Sequence, residues 1–293
     1  MLWREEDLPH TTNRIPEKNF QSLRYPLWSY NKARLIQAYL QLFLFITKHG
    51  TYIDGFSAPQ SPDHPETWSA KLVLEMTPKW LRDFWLCDVS APGIAALNAL
   101  AEEHRSQKRR VTVLDGDFNL RVHDILKSGQ ITEKTATFAL LDQRTFECEW
   151  STVQALSQHK AENKIELFYF FATGWLDRSI AAVSRPETQA KVERWWGRGD
   201  WADLRGLDPT LRAKQLAKRF EDELGFKKAN VFAIHDDKRG GRVMYHMIHA
   251  TDHPEAPALM IRAYRKVSGR SELAGDVQLD LDDLLERIEK GED

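Results

Sequence analysis

Short apolar runs alternate with helix-like segments over roughly the first 170 residues of the chain. Five of the runs have the length of β-strands, at 51–56, 83–88, 111–115, 136–142 and 165–171. The segments between them space their apolar residues as an α-helix does. The clearest stripe runs from Trp28 to His49 and is followed by Gly50, a residue typical of helix ends. Strands that alternate with helices predict a parallel sheet built from βαβ units.

The last two predicted strands, 229–235 and 242–251, are joined by a short turn that contains Gly240 and Gly241. Strands joined so closely form a hairpin and run antiparallel. A helix at about 255–267 follows. The predicted fold class is therefore α/β: a Rossmann-like doubly wound sheet, mostly parallel, with a final antiparallel hairpin strand. This is the arrangement of class I S-adenosylmethionine-dependent methyltransferases.

One segment breaks the alternation of strands and helices. Residues 172–228 contain Trp175, Trp195, Trp196 and Trp201 and many arginines, but no strand-like run. This composition predicts a helical insertion, which we expect to cap the carboxyl edge of the sheet. The predicted organisation has three parts, which are an N-terminal arm (1–27), a methyltransferase-like domain that includes the insertion (28–267) and an acidic C-terminal tail (268–293).

Composition narrows the class of protein. The chain has 293 residues, 42% of them hydrophobic, and a formal net charge of −2, which provides no overall attraction to nucleic acid or membranes. Cys87 and Cys148 are too few for a Cys-only zinc site or a disulfide framework, and we expect both to be buried. No apolar run approaches the ~20 residues that span a bilayer, and the N-terminal sequence lacks the apolar core of a signal peptide. A cytoplasmic protein without membrane contact is expected.

Four aspartates each stand at or just after the end of a predicted strand. They are Asp54, Asp88, Asp117 and Asp142. In a parallel sheet, ligands bind in the crevice beyond the carboxyl ends of the strands. The sequence therefore predicts that Asp54, Asp88 and Asp117, together with Gly55, line one pocket at that edge.

The first two of these turns offer chemistry for a nucleoside cofactor. In the turn Asp54-Gly55-Phe56, Gly55 would let the backbone approach the cofactor and Asp54 would bind its amino acid portion. The alternative is a turn in which Asp54 accepts local backbone hydrogen bonds. Asp88 would accept both ribose hydroxyls, with an N-cap role for the next helix as its alternative, although Ser90 could equally provide that cap.

The third turn, Asp117-Phe118-Asn119, suits an adenine, which needs an acceptor for its amine and a flat apolar face. A helix N-cap is the competing interpretation. The chain has no Gly-x-Gly-x-x-Gly sequence, which argues against a dinucleotide cofactor.

The turn after the fourth strand is where a methyl-transfer enzyme presents its substrate. Asp142 and Gln143 could orient a nucleophilic amine there, and Phe146 could stack on a base. In-line positioning would supply much of the acceleration, so the carboxylate need not be a strong base. The alternative is that Asp142 simply bonds to Arg144.

Metal and nucleic-acid sites are less well supported. His246 and His249 are three apart on a predicted strand and so face opposite sides of the sheet, and no spacing typical of a zinc site occurs. We predict no metal site. Trp195, Trp196 and Trp201, if exposed beside the arginines of the insertion, would form a surface on which unpaired bases stack. A solvated helix face is the alternative.

Taken together, several motifs resemble one family, the three-Cys-motif partner protein (TcmP) family of bacteria and archaea. The resemblance rests on Lys32 and the helix after it, 52–59, 116–119, 141–143 followed by Trp150, and 249–254. It covers roughly residues 28–267. It implies a class I methyltransferase fold, S-adenosylmethionine as cofactor, and a separate radical-S-adenosylmethionine-like partner protein that carries a three-cysteine motif.

The leading functional hypothesis is an S-adenosylmethionine-binding, methyltransferase-like protein that acts with such a partner on a nucleobase or nucleic acid. Ala58 and Gln60 stand where the family's first loop usually carries glycines. A non-catalytic binding protein that retains the fold is therefore the main alternative. A metal-dependent nuclease that uses the carboxylates is a weaker one.

Overall fold

The computed structural model describes residues 27–60, 63–235 and 243–268. The strands are β1 (Gly50–Asp54), β2 (Leu81–Asp88), β3 (Arg110–Asp115), β4 (Thr137–Leu141), β5 (Glu166–Phe171), β6 (Lys228–His235) and β7 (Val243–Thr251). The helices are α1 (Leu27–Thr47), α2 (Ser69–Glu75), α3 (Ala91–His104), α4 (Phe118–Lys127), α5 (Trp150–Gln158), α6 (Leu176–Ala181), α7 (Pro186–Trp196), α8 (Pro209–Asp222) and α9 (Ala256–Ser268). Short 3-10 helices occur at Pro65–Thr67 and Gly199–Leu204.

The strands form one seven-stranded sheet in the order β3-β2-β1-β4-β5-β7-β6. Strands β1 to β5 are parallel, whereas β7 runs antiparallel to both β5 and β6. The predicted Rossmann-like sheet with an antiparallel hairpin strand is therefore confirmed. The hairpin turn, and the predicted arm and tail apart from Leu27 and Ser268, lie outside the described residues.

Helices cover both faces of the sheet. Helices α1, α2, α3 and α9 contribute to the apolar cluster on one face, and α4 to α8 contribute to the cluster on the other. The prediction that Gly50 ends the first helix is wrong, because α1 stops at Thr47 and Gly50 is the first residue of β1. A Cβ at Gly50 would lie 3.1 Å from the ring of Phe43, so this glycine serves the close packing of α1 against the strand.

A buried polar network fixes α1 to the sheet. The hydroxyl of Tyr39, on α1, donates to Glu166 at the start of β5. The Nε2 atom of His249, on β7, lies 2.9 Å from the same carboxylate oxygen. His246, on the same strand, instead contacts Thr173, so the two histidines have different partners, consistent with their predicted positions on opposite sides of the sheet. The prediction that both cysteines are buried is also confirmed.

The segment 172–228 does not lie over the carboxyl edge as a whole. Its helices α7 and α8 pack on one face of the sheet, where their apolar side chains join those of α5 and β5. Trp195 and Trp196 are only 2% and 4% exposed, and Trp201 is partly buried against the same cluster. The expectation that these tryptophans form an exposed stacking surface is therefore wrong, and α8 is an ordinary sheet-covering helix before β6. None of the described helices has the length and apolar character needed to cross a membrane.

Candidate functional site

The structure places the four predicted aspartates at the carboxyl edge of the sheet. Asp54 and Asp88 are the last residues of β1 and β2, Asp142 directly follows β4, and Asp117 precedes α4. Their environments differ. Asp54 is buried, Asp88 and Asp142 are partly buried, with 10% of the Asp142 side chain exposed, and Asp117 is exposed. Because burial shifts the pKa of a carboxyl group, a difference in burial changes how readily an aspartate is protonated.

The Asp54 carboxylate is held by local donors. Its Oδ2 accepts a hydrogen bond of 3.0 Å from the Tyr52 hydroxyl, and its Oδ1 accepts one of 3.2 Å from the Phe56 N–H. Burial, together with the nearby charge of Asp142, raises the pKa of Asp54 to about 7. Asp54 can therefore gain or lose a proton near neutral pH. Its carboxylate lies close enough to that of Asp142 for the two charges to interact.

The glycine of the first turn is needed for packing. A Cβ at Gly55 would lie 2.7 Å from the ring of Phe118. That ring is 2% exposed, and its centroid lies 5.9 Å from that of Phe56. The predicted roles of Gly55 in cofactor approach and of Phe118 as an open stacking face therefore need correction, because the two residues fill each other's space.

Asp88 stabilises the loop that follows β1. Its Oδ2 accepts a hydrogen bond of 3.0 Å from the Ala58 N–H and its Oδ1 one of 2.9 Å from the Ser90 N–H. The alternative role of Asp88 as N-cap is not observed, because Ser90 itself caps α3. A Cβ at Gly93, in the first turn of α3, would lie only 2.5 Å from that of Ala58. The loop thus packs tightly against the helix that follows Asp88.

In the third turn, Asp117-Phe118-Asn119, the competing interpretation of a helix N-cap is observed. Asp117 is the N-cap of α4, and its Oδ1 accepts from both the backbone N–H and the side-chain amide of Asn119. The amide of Asn119 is otherwise used to hold the next loop, since its oxygen accepts from the Glu149 N–H and the Thr152 hydroxyl. The predicted adenine-binding role of Asn119 is therefore not supported by its contacts.

The most distinctive site lies around Asp142. The Nζ of Lys32, on α1, forms an ion pair of 2.5 Å with Asp142 Oδ2, and the side chains are 4% and 10% exposed. Burial raises the pKa of Asp142, while the Lys32 ammonium opposes that shift. The pair lines a pocket of about 300 Å³, together with Gln60, Gln143, Arg144, Phe170, Trp175 and Tyr245.

Two predicted substrate residues have other tasks. The amide oxygen of Gln143 accepts from the Glu147 and Cys148 N–H groups, and its nitrogen donates to the Phe170 carbonyl. Gln143 therefore satisfies the backbone of its own loop, as buried polar groups require. Phe146 packs edge-on against Trp195, with ring centroids 4.8 Å apart, on the other face of the sheet. Phe146 therefore lies away from Asp142, and Gln143, although it lines the pocket, has its amide groups engaged by the protein backbone.

Lys32 and the aromatic residues of the pocket were missed as site residues by motif reasoning. A signal for Lys32 was present, because it precedes Leu35, Ile36 and Tyr39 on the buried stripe of α1. A lysine in an apolar stripe is almost never buried unless it is paired. No comparable signal marked Trp175 and Tyr245, which come together only when β7 inserts beside β5.

A second, more open groove of about 560 Å³ lies between α5 and α7. Its arginines already have carboxylate partners, since Arg194 lies 2.6 Å from Glu149 and Arg198 lies 3.2 Å from Glu223. This pairing cancels the positive charge that a nucleic-acid backbone would need. Within 27–60, 63–235 and 243–268, no three His, Cys, Asp or Glu side chains converge as a metal site would require.

No protein-family model matches the chain, and a search of curated proteins finds no match.

Proposed function

We propose that this protein binds S-adenosylmethionine and acts as a methyltransferase-like protein. The pocket lined by Lys32 and Asp142, called the Asp142 pocket below, would bind the molecule that receives the methyl group. The observation that carries the proposal is the position of that pocket. It is lined from the ends of β4 and β5, from β7 and, through Gln60, from the loop after β1. It therefore adjoins the boundary between β1 and β4, where the strand order reverses and doubly wound sheets bind their ligands. The antiparallel β7 between β5 and β6 is also the arrangement of class I methyltransferases.

In this proposal the nucleoside part of the cofactor lies along the ends of β1 to β3. Asp88 would accept the ribose hydroxyls, since each carboxylate oxygen can accept more than one hydrogen bond. Only Oδ1 of the exposed Asp117 is engaged by described residues, which leaves Oδ2 as an acceptor for an adenine amine. The radical-S-adenosylmethionine-like partner comes from the resemblance alone. The two cysteines of this chain are both buried, so any three-cysteine cluster would be the partner's.

A non-catalytic binding protein is the second candidate, and the first loop favours it. Both Asp88 oxygens already accept backbone hydrogen bonds, and the methyl of Ala58 fills the space above Gly93. A cofactor must therefore share Asp88 with the loop or displace the loop. A nuclease is not proposed, because a cation at Asp142 would have to compete with the Lys32 ammonium.

Calorimetric titration with S-adenosylmethionine and S-adenosylhomocysteine tests the proposal. Wild-type protein should bind both, and Asp88→Asn should weaken binding about ten- to a hundredfold, because hydrogen bonds to a charged group contribute about 1.5–3 kcal/mol. Asp124→Asn is the control, since Asp124 is an exposed carboxylate on α4, away from the ends of these strands. Absence of binding at millimolar ligand would replace the proposal with the non-catalytic candidate.

A further inference from the structure

Aromatic rings form one wall of the Asp142 pocket. The rings of Phe170 and Tyr245 have centroids 4.6 Å apart, and Trp175 lies 5.9 Å and 6.3 Å from them. Phe170 and Tyr245 are almost fully buried, whereas Trp175 is only partly buried. Trp175 thus offers a supported flat surface to a ligand, and flat ligands stack on such surfaces.

The polar groups of the pocket form an unsatisfied pair. Asp142 Oδ1 is buried and finds no hydrogen-bond partner in the described part of the chain. Lys32 Nζ carries three N–H donors, and Asp142 Oδ2 is the one oxygen with which described residues pair it. Its other neighbours are the faces of Phe170 and Tyr245, at 5.7 Å and 5.9 Å from the ring centroids. The lining of the pocket therefore contains an unpartnered acceptor oxygen and a donor side by side, with no net charge on the pair.

A ligand that satisfies both groups must itself present a donor beside an acceptor on a flat ring. Adenine does so with its exocyclic amine beside a ring nitrogen, and cytosine has the same arrangement. A cavity of about 300 Å³ is at the lower end of the range of about 300–1,000 Å³ for small-molecule sites. It is large enough for a base or a nucleoside.

We propose that this pocket binds a nucleobase that carries an exocyclic amino group. The amine donates to Asp142 Oδ1, the neighbouring ring nitrogen accepts from Lys32 Nζ, and the ring stacks on Trp175. The inference names the acceptor of the proposed methyl transfer and to that extent rests on the proposed function. It replaces Gln143 and Phe146 with Lys32 and Trp175 as the residues that hold the base.

The test compares nucleosides that differ only in the amine. Binding of cytidine and of pyrimidin-2-one riboside, and of adenosine and purine riboside, is measured by calorimetry on the whole chain. Saturating S-adenosylhomocysteine is present, so that adenosine does not occupy the cofactor site. The amine-bearing member of at least one pair should bind about ten- to a hundredfold more tightly, because it alone donates to a charged acceptor.

Variants locate the binding. Lys32→Met with Asp142→Leu replaces the ion pair by apolar side chains of similar size, an exchange that buried pairs often tolerate. The double variant should remain folded by circular dichroism and lose the preference for the amine. Asp124→Asn, an exposed carboxylate on α4, is the control and should keep it.

Each outcome is decisive. Equal binding within both pairs, no nucleoside binding by the wild-type protein, or an amine preference that survives in the folded double variant would overturn the inference. If S-adenosylhomocysteine does not bind but the amine preference depends on Lys32 and Asp142, the proposed methyl transfer fails and the base-binding pocket stands. If S-adenosylhomocysteine binds but the preference for the amine is absent, the proposed base-binding pocket fails and the proposed cofactor binding stands.

Discussion

Asp54 and His246 are buried ionisable residues near the carboxyl edge, and their pKa values are shifted in ways that oppose each other. Burial raises the pKa of Asp54 from 3.8 to about 7. Burial also lowers the pKa of His246 from 6.5 to about 4, and the Nδ1 of this histidine lies 2.6 Å from the Thr173 hydroxyl. Folding therefore favours the neutral form of both side chains. In the wild-type protein, their contributions to the pH dependence of stability partly cancel between about pH 4 and pH 7.

Single variants should reveal the two contributions. Folded Asp54 binds a proton that unfolded Asp54 releases, so its contribution to the free energy of unfolding falls as pH rises from about 4 through 7. For His246 the unfolded chain binds the extra proton, and the contribution rises between about pH 4 and 6.5. Relative to wild type, Asp54→Asn should therefore gain stability as pH rises, by up to about 4 kcal/mol. His246→Gln should lose stability over the same range.

Urea unfolding at intervals between pH 4 and pH 8 measures both differences. Asp117→Asn serves as a control for the exchange of carboxylate for amide at an exposed position. Parallel profiles for wild type and Asp54→Asn would mean that folding does not change the pKa of Asp54, which would contradict the prediction.

The sequence alone predicted where the strand-end aspartates lie in the fold, but not which groups their carboxylates bind. An aspartate at the end of an apolar run must lie at a strand end, so Asp54, Asp88 and Asp142 were found without any tertiary information. What each carboxylate binds depends on residues from distant segments. Asp88 meets Ala58 across the first loop, and Asp142 meets Lys32 from α1. No local pattern encodes such pairings.

At the scale of the elements, the strands were predictable because apolar runs of strand length alternate regularly with longer helix-like segments. The helices of 172–228 were predicted as helices but misplaced. Tryptophan and arginine close together in a sequence suggest an exposed binding surface, yet here they pack against each other. The Arg219 guanidinium lies between Trp150 and Trp196, at 4.0 Å and 4.4 Å from the ring centroids. It also donates to both oxygens of Glu223 and to the Trp196 carbonyl.

This arrangement makes Arg219 the polar centre of the contact between α5, α7 and α8. Arg219→Lys keeps the charge but loses the planar stack and the two-point contact with Glu223. We expect it to lower the free energy of unfolding by about 1–3 kcal/mol, measured in urea. Arg194→Lys is the matched control, because Arg194 forms an exposed ion pair with Glu149 and should change stability by less than about 0.5 kcal/mol. Equal effects of the two variants would show that the stacked guanidinium adds nothing to packing.

At the scale of the whole molecule, the Lys32–Asp142 pair joins the first helix to the middle of the sheet. Helix α1 precedes every strand in sequence but packs against α2 and α9 on one face, so its position depends on long-range contacts. The ion pair links that helix to the end of β4, beside the strand-order reversal. The residue that completes the proposed acceptor site therefore also fixes how α1 docks.

A double-mutant cycle should show this coupling. Lys32→Met leaves the Asp142 carboxylate buried without its partner, which should cost about 3–5 kcal/mol. The cost should be larger at pH 8 than at pH 5, because an unpaired buried carboxyl group can take up a proton as the pH falls and its pKa is already raised by burial. Adding Asp142→Leu removes the stranded charge and should restore most of the stability. Urea unfolding of the wild type, both single variants and the double variant gives the coupling energy.

Lys71→Met provides the comparison, because Lys71 pairs with Glu75 one turn along α2 at an exposed position. Exposed pairs of this kind contribute less than about 1 kcal/mol. If Lys32→Met costs no more than Lys71→Met at pH 8, Asp142 is not held as a buried charge by Lys32. The donor and acceptor of the proposed base-binding pocket would then not exist as a pair. A large, pH-dependent coupling would instead mean that the contact which docks α1 also keeps the two polar groups of the pocket in place.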